Sequence, residues 1–330
     1  MSAPRHGGDI EAFGLAHPHA TRPLIDLSTG INPSAYEPTI APDWMTRLPG
    51  KAEENACLTA FASYAGVDPA HVCLMPGTQA IISGLPHLFG PDRVAVLAPT
   101  YGEHTLSWQS AGHSVSFCAA SEVMRADAEI IVVTNPNNPD GHSFDPAQLR
   151  VLQKTQKARG GWLIVDEAFV DCAPELSVGA RVEEGGLLVL RSFGKFFGLA
   201  GLRLGFLIGP PEITNALAKR LGPWSVSTAA LHIGREAYAD AAWIAATRAS
   251  LTTRMDRLQA MLDPTLGTGI GGTSLFHLLN MEEAQRAGDH LAAHGIFVRT
   301  FPDMPNYLRV GLPGEAWQWD RLKTALNEWM

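Results

Sequence analysis

Leu187-Leu188-Val189-Leu190-Arg191-Ser192-Phe193-Gly194-Lys195-Phe196-Phe197-Gly198-Leu199-Ala200-Gly201-Leu202-Arg203-Leu204-Gly205-Phe206 begins on one apolar run and ends entering another, with a lysine set among glycines and aromatics between them. A continuous apolar run followed by a glycine-rich turn predicts a strand covered on both faces. Lys195 follows that strand in surroundings that solvate an amine poorly. Desolvation lowers an amine's pKa, and a neutral amine forms a Schiff base with an aldehyde. Arg203 and the hydroxyl of Ser192 lie within eight residues of it and suit a phosphate close to that aldehyde. A solvated surface lysine near a turn would explain Lys195 alone, but not this constellation.

Outward from this stretch, short apolar runs recur at Val72–Met75, Val94–Leu97, Ile130–Thr134, Trp162–Val165 and Leu204–Ile208. Helical patterns fall between them near Gln79–Phe89, His104–Ala111 and Pro146–Arg159. Alternation of this kind predicts an α/β domain with a mostly parallel central sheet. After Pro210-Pro211 a helix is expected from Glu212, then a long proline-free helix over Thr228–Met261. Strands at Leu275–Leu279, Phe297–Thr300 and Tyr307–Val310, with helices at Glu282–His294 and from Glu315, predict a smaller α+β unit. The expected division is an arm and part of the small domain over residues 1–39, the large domain over 40–225, and a linking helix with the rest of the small domain over 226–330.

The 330 residues exceed one typical domain, and 46% hydrophobic content supplies a sizeable core. A net charge of -8 without any Lys/Arg run argues against a nucleic-acid surface, while leaving room for a locally positive pocket. No apolar stretch is long enough to span a bilayer, and the first eight residues lack the apolar core of a secretory signal. Cys57, Cys73, Cys118 and Cys172 are scattered without metal-ligand spacing, so a reduced, cytoplasmic protein without a metal is expected. The pair His17 and His19 reads as incidental.

Four further segments bear on Lys195. Pro76-Gly77-Thr78-Gln79 joins a strand to a helix, where free N–H groups and a glycine make an anion cup. Asn135-Pro136-Asn137-Asn138-Pro139-Asp140-Gly141 follows another apolar strand and, alone, is a proline-rich turn. Asp166, in Leu163-Ile164-Val165-Asp166-Glu167-Ala168-Phe169, ends a buried strand at the crevice where such sheets bind ligands. A carboxylate there can pair with a protonated pyridine nitrogen, and some cation must meet it. Pro99-Thr100-Tyr101 places an aromatic ring where a planar group can stack. These features point to pyridoxal phosphate.

In this order the segments resemble those of fold-type I pyridoxal-phosphate enzymes, specifically the class I/II aminotransferase group, over nearly the whole chain. The most specific parts are the Asn-Pro-Asn-Asn-Pro-x-Gly turn, the Asp-Glu-Ala-aromatic strand end, and Ser-Phe-x-Lys-x-x-Gly-Leu-Ala-Gly-Leu-Arg. The resemblance implies a pyridoxal-phosphate-dependent transferase-like fold and a homodimer. It implies that Lys195 is the Schiff-base lysine, Asp166 the pyridinium partner and Asn138 a donor to the ring's phenolic oxygen. Tyr101 would stack on the ring, while Gly77, Thr78, Gln79, Ser192 and Arg203 would hold the phosphate.

Two branches of the group are similar: histidinol-phosphate aminotransferases and the threonine-phosphate decarboxylases of cobalamin synthesis. His6-Gly7-Gly8, Leu27-Ser28-Thr29-Gly30-Ile31-Asn32-Pro33, and Phe169 where the aminotransferases usually carry tyrosine all resemble the second. The implied reaction is decarboxylation of a small phosphorylated amino acid, L-threonine O-3-phosphate, with Lys195 as proton donor; 2-oxoglutarate-dependent transamination of histidinol phosphate is the alternative. Arg309, in Tyr307-Leu308-Arg309-Val310-Gly311, matches the group's carboxylate-binding arginine. Arg299 would take the substrate phosphate with His6, Gly7 and Gly8, and Asn32 would sit near the carboxylate; a surface arginine at a strand end is the plainer account of Arg299. Gly194 departs from a phosphate-binding serine, and Leu48-Pro49-Gly50 replaces a tyrosine context that reaches the partner's cofactor. A ligand-binding regulator would need an appended DNA-binding helix-turn-helix, which the first seventy or so residues do not suggest.

Overall fold

A computed structural model of the chain describes residues 6–329. Two compact units divide it. The larger comprises Tyr36–Asn138 and His142–Ile244; the smaller comprises the residues up to Ala35, Pro139–Gly141 and the residues from Ala245. The second division therefore falls at residue 244, beyond the expected position near 226.

Seven strands build the sheet of the larger unit: β1 (Val72–Met75), β2 (Arg93–Leu97), β3 (Ser114–Cys118), β4 (Ile130–Thr134), β5 (Trp162–Asp166), β6 (Leu187–Ser192) and β7 (Gly205–Ile208). Their spatial order is β1-β7-β6-β5-β4-β2-β3. All neighbours are parallel except β7, which runs against both β1 and β6. Every residue of β4, β6 and β7 is buried, and apart from Thr134, Arg191 and Ser192 at their carboxyl ends these strands read as apolar runs. Ile82, Val96, Val132, Ile164, Leu190 and Leu207 join one core, each buried side chain of this size stabilising the fold by about 1.5–3 kcal/mol. The helix Pro146–Ala158 starts where Asp145 accepts from the Ala147 N–H and Gln148 reaches back to the Asp145 N–H.

Several expected elements differ. The helix foreseen over Gln79–Phe89 is α-helical only over Thr78–Gly84 and tightens to a 3-10 turn at Leu85–Leu88, where Pro86 cannot donate an N–H. The single helix expected over Thr228–Met261 is two, Thr228–Ala239 and Ala241–Leu266. Asp240 separates them, leaving helical geometry and accepting from the Trp243 N–H through its carboxylate. The edge strand β3 was not foreseen, because its Ser-Val-Ser-Phe-Cys sequence is polar and largely exposed.

In the smaller unit β8 (Thr268–Thr273), β9 (Phe276–Asn280), β10 (Arg299–Thr300) and β11 (Tyr307–Gly311) form an antiparallel sheet in the order β10-β11-β9-β8. β8 was also missed: it holds three glycines and a single large apolar residue, Ile270. The strand expected over Phe297–Thr300 is split at Val298. Ile296–Phe297 pairs in parallel with Ile25–Asp26, and Arg299–Thr300 pairs with β11.

Candidate active site

The motif segments of the larger unit follow the carboxyl ends of neighbouring strands. Pro76-Gly77 follows β1, Pro99-Thr100-Tyr101 follows β2, and Asn135 onward follows β4, while Asp166 ends β5 and Ser192 ends β6. Carboxyl ends of parallel strands are where doubly wound sheets bind ligands.

Asp166 is 3% exposed, and its charge is met by a residue the sequence reading did not select. His104 Nε2 lies 2.9 Å from Asp166 Oδ2, and the Ala168 N–H donates to Oδ1 at 3.0 Å. His104 lies three residues beyond Tyr101 on the helix Gly102–Ser110, and this Tyr-x-x-His spacing was the available signal. The Tyr101 hydroxyl donates to Gln79 Oε1 at 3.2 Å, while Gln79 Nε2 donates to Glu103 and Ser83. The Gln79 side chain is thus engaged in orienting Tyr101 and its surroundings, which leaves its backbone N–H as the group suited to an anion. Burial, joined by the carboxylates of Glu103 and Asp166, pushes the Tyr101 phenol up to about 12, so it stays protonated and donating.

The anion cradle is built by close backbone approach. Gly77 has φ 82, and a Cβ placed there would lie 2.7 Å from Arg203 Nη2. Arg203 itself adopts the left-handed conformation, with φ 56, and donates from Nη1 to the Ala200 carbonyl. Gly205 meets the same turn: a Cβ on it would lie 2.8 Å from the Thr78 nitrogen. Its register partner across β6 and β7 is Ser192. One turn therefore gathers Gly77, Thr78, Arg203, Gly205 and, through the ladder, the strand end bearing Ser192. A guanidinium beside helix-start N–H groups, in space kept open by a missing side chain, fits the phosphate of pyridoxal phosphate.

Lys195 is half-buried, with Nζ 5.7 Å from the centre of the Phe169 ring. Its neighbours in the chain, Phe193, Phe196 and Phe197, are fully buried and pack on one another and on Tyr238 and Trp243. Gly194 packs so tightly that a Cβ there would come within 2.7 Å of Ala200 Cα. The backbone leaves no room for a larger residue such as serine.

The asparagines after β4 divide by role. Asn135 is fully buried and bonds the Phe144 backbone at both its N–H and its carbonyl. Asn137 donates to the Pro99 carbonyl at 2.8 Å and accepts from the Thr100 hydroxyl at 2.7 Å. Asn137 fastens the ends of β2 and β4, Asn135 holds the turn after β4 to Phe144, and Asn138 is half-buried rather than buried.

In the smaller unit the arm and the sheet meet at Ser28. The Gly8 N–H donates to Ser28 Oγ at 2.8 Å, and Gly7 fits only because a Cβ would lie 2.5 Å from the Ser28 carbonyl. Arg309 Nη2 donates to that carbonyl at 2.7 Å, and Ser28 Oγ donates to Asp26 at 2.6 Å. Register sets Arg299 opposite Arg309. Burial, and then the nearby Arg299 charge, push Arg309 down to about 10 against the opposing pull of Asp26. Two paired cations suit an anionic ligand. Asn32 is buried and accepts from the Ser34 N–H, and His6 is exposed. Ser28 and Asp26 were not singled out by the sequence, because a serine and an aspartate near a turn carry no distinctive spacing.

A family model described as aminotransferase class I and II matches residues 46–322. The threonine-phosphate decarboxylase of Pseudomonas aeruginosa is 39% identical over 97% of this chain and 96% of its own length. That of Sinorhizobium sp. is 40% identical over 99% and 98%. Among solved structures, a histidinol-phosphate aminotransferase of Sinorhizobium meliloti in complex with pyridoxal-5'-phosphate shares the fold with a TM-score of 0.80 at 20% identity, covering 99% of this chain and 95% of that one. With the motifs in place at the strand ends, the chain belongs to the class I and II aminotransferase family.

Proposed function

We propose that this chain is a pyridoxal-phosphate-dependent decarboxylase that converts L-threonine O-3-phosphate to (R)-1-amino-2-propanol O-2-phosphate in cobalamin biosynthesis. The observation that carries this reading is the likeness, over nearly the full chain, to two threonine-phosphate decarboxylases. When bound, pyridoxal phosphate supplies an electron sink for the bond broken at the substrate α-carbon.

The roles of this chain's residues follow from their chemistry. Gly77, Thr78, Ser192 and Arg203 hold the cofactor phosphate, with Gln79 contributing its backbone N–H. Tyr101 covers one face of the ring, Asn138 donates to its phenolic oxygen, and Asp166, fixed by His104, keeps its nitrogen protonated. Lys195 Nζ would hold the cofactor through its carbonyl carbon and would be the group that donates a proton at the substrate α-carbon. Phe169, beside Lys195, offers no hydroxyl to compete for that proton or for the phenolic oxygen. Arg309 and Asn32 would serve the substrate carboxylate, and Arg299, His6, Gly7 and Gly8 would serve its phosphate. A homodimer in the cytoplasm completes the reading; sedimentation of the purified protein tests the dimer.

The deciding assay is CO2 release from L-threonine phosphate without any keto acid. No release, together with 2-oxoglutarate-dependent turnover of histidinol phosphate, overturns the decarboxylase reading. For the cofactor, Lys195→Ala should abolish the visible absorbance that appears when pyridoxal phosphate is added, and unchanged absorbance would remove Lys195 from its role.

A further inference from the structure

Behind the strand ends lies a second, dry set of charges that the proposed reaction does not use. Arg191, Glu167 and Asp171 are 3%, 0% and 1% exposed. Arg191 Nη2 donates to Asp171 Oδ1, and Arg191 Nη1 lies 3.6 Å from Glu167 Oε2. The Tyr64 hydroxyl donates to Asp171 at 3.0 Å, while the Ser177 hydroxyl and the Val178 N–H donate to Glu167 at 2.8 and 2.7 Å. The Arg191 guanidinium lies 5.7 Å from the centre of the Phe61 ring and 5.8 Å from that of Tyr64.

The position of this cluster is dictated by strand alternation. Asp166 pairs with Leu190 in the β5–β6 register, so Asp166, Leu190 and Ser192 share one face of the sheet. Glu167 and Arg191 are each one residue out of step, and they share the other face. The ladder continues through the Glu167 N–H, which donates to the Leu190 carbonyl at 2.9 Å. Asp171 closes the loop that begins at Glu167, and within that loop sits Phe169, the ring beside Lys195. A single guanidinium on β6 thus holds both ends of the loop after β5.

We propose that Arg191 is a positioning residue of the cofactor site, fixing Asp166, Ser192 and the Phe169–Lys195 contact from behind the sheet through Glu167 and Asp171. The assignment rests on the cofactor reading above. It requires two strand ends and one loop to keep a common geometry, which an apolar residue at position 191 would not impose on the loop. A structural ion pair alone would stabilise the fold without influencing how the cofactor is held.

The test titrates cofactor-free protein with pyridoxal phosphate and records two quantities: the dissociation constant, and the pH midpoint of the visible spectrum of the lysine-bound cofactor. Thermal melting of the cofactor-free protein runs alongside. Glu167→Gln and Asp171→Asn, the mildest changes, should weaken cofactor binding about 10- to 100-fold, the size of one hydrogen bond to a charged group, and should shift the midpoint. Arg191→Met should do at least as much, and Arg191→Lys should recover part of the loss. Variants that melt lower while binding within about twofold of wild type, with an unmoved midpoint, would reduce the cluster to a stability element. Wild-type protein that gains no visible absorbance overturns the cofactor assignment instead, so the two failures are distinct.

Discussion

His104 Nε2 sits 2.9 Å from Asp166 Oδ2, with both side chains almost wholly out of solvent. The pair answers the demand that a carboxylate at the end of β5 makes on its surroundings. His104→Phe removes the donor and leaves a buried carboxylate short of a partner, which costs about 1–3 kcal/mol. The expected outcome is a lower melting temperature together with weaker binding of pyridoxal phosphate, and His104→Asn, which keeps a donor, should lose less of both. Melting and cofactor titration check this.

Gly77 is the tightest point of the anion cradle. Gly77→Ala would push a methyl group against the Arg203 guanidinium from a backbone at φ 82, ψ 160, where a non-glycine residue carries a strain of about 1–3 kcal/mol. Cofactor affinity should fall by about tenfold or more, in line with losing one charged hydrogen bond. Arg203→Lys should weaken binding by a smaller factor, because a point charge replaces the planar fork. Equilibrium titration followed by visible absorbance measures both.

Placing a serine at position 194 should harm this protein. In Gly194→Ser the new Cβ lies 2.7 Å from Ala200 Cα, a backbone atom that cannot move without shifting the loop. Overpacking of this kind costs about 1–3 kcal/mol. The melting temperature should drop, with no gain in cofactor affinity; tighter binding by the variant would refute the prediction.

Glu167 gives a pH signature. Burial pushes its carboxyl from 4.5 up to about 7, against the opposing pull of Arg191, the Val178 N–H and the Ser177 hydroxyl. Asp171 raises it further, and Tyr64, Tyr238 and Arg191 are the other titratable groups of the cluster. The folded state therefore binds this proton more tightly than the unfolded chain. Stability from this group is fully present below pH 4.5 and is lost as the pH rises through about 7, a loss of about 3 kcal/mol. Glu167→Gln should remove that decline, so the difference in unfolding free energy between variant and wild type should change across the window. Denaturant melts at several pH values read it directly.

Much of the larger unit was legible because its strands are covered on both faces and carry little but apolar residues. Ile130–Thr134 and Leu187–Leu190 needed no context to be recognised. Elements stabilised by something other than apolar burial were missed. Ser114–Cys118 pairs at a solvated edge, Thr268–Thr273 is half glycine, and Asp240 interrupts a run whose helical pattern continues past it. At the site, sequence spacing singled out Lys195, Asp166 and Arg203. It did not yield His104, whose importance arises only when a helix folds over β5, nor Arg191, whose charge is interpretable only once the sheet has assigned it to the rear face. Asn137 was legible as part of a turn, but its task of tying two strand ends together depends on contacts distant in the chain.

The reversal of β7 between β1 and β6 gives the molecule a gauge. The chain leaves β6, passes Lys195, turns, and comes back with Arg203 and Gly205 pressed against the turn at Gly77. On the proposed assignment, the amine that would hold one end of the cofactor and the guanidinium that would hold the other are thus the two ends of one short loop. The length of that loop, rather than the placement of separate domains, measures the ligand. Insertions tolerated elsewhere on the surface would be intolerable between Phe193 and Leu204, because adding a residue there would change the measure itself.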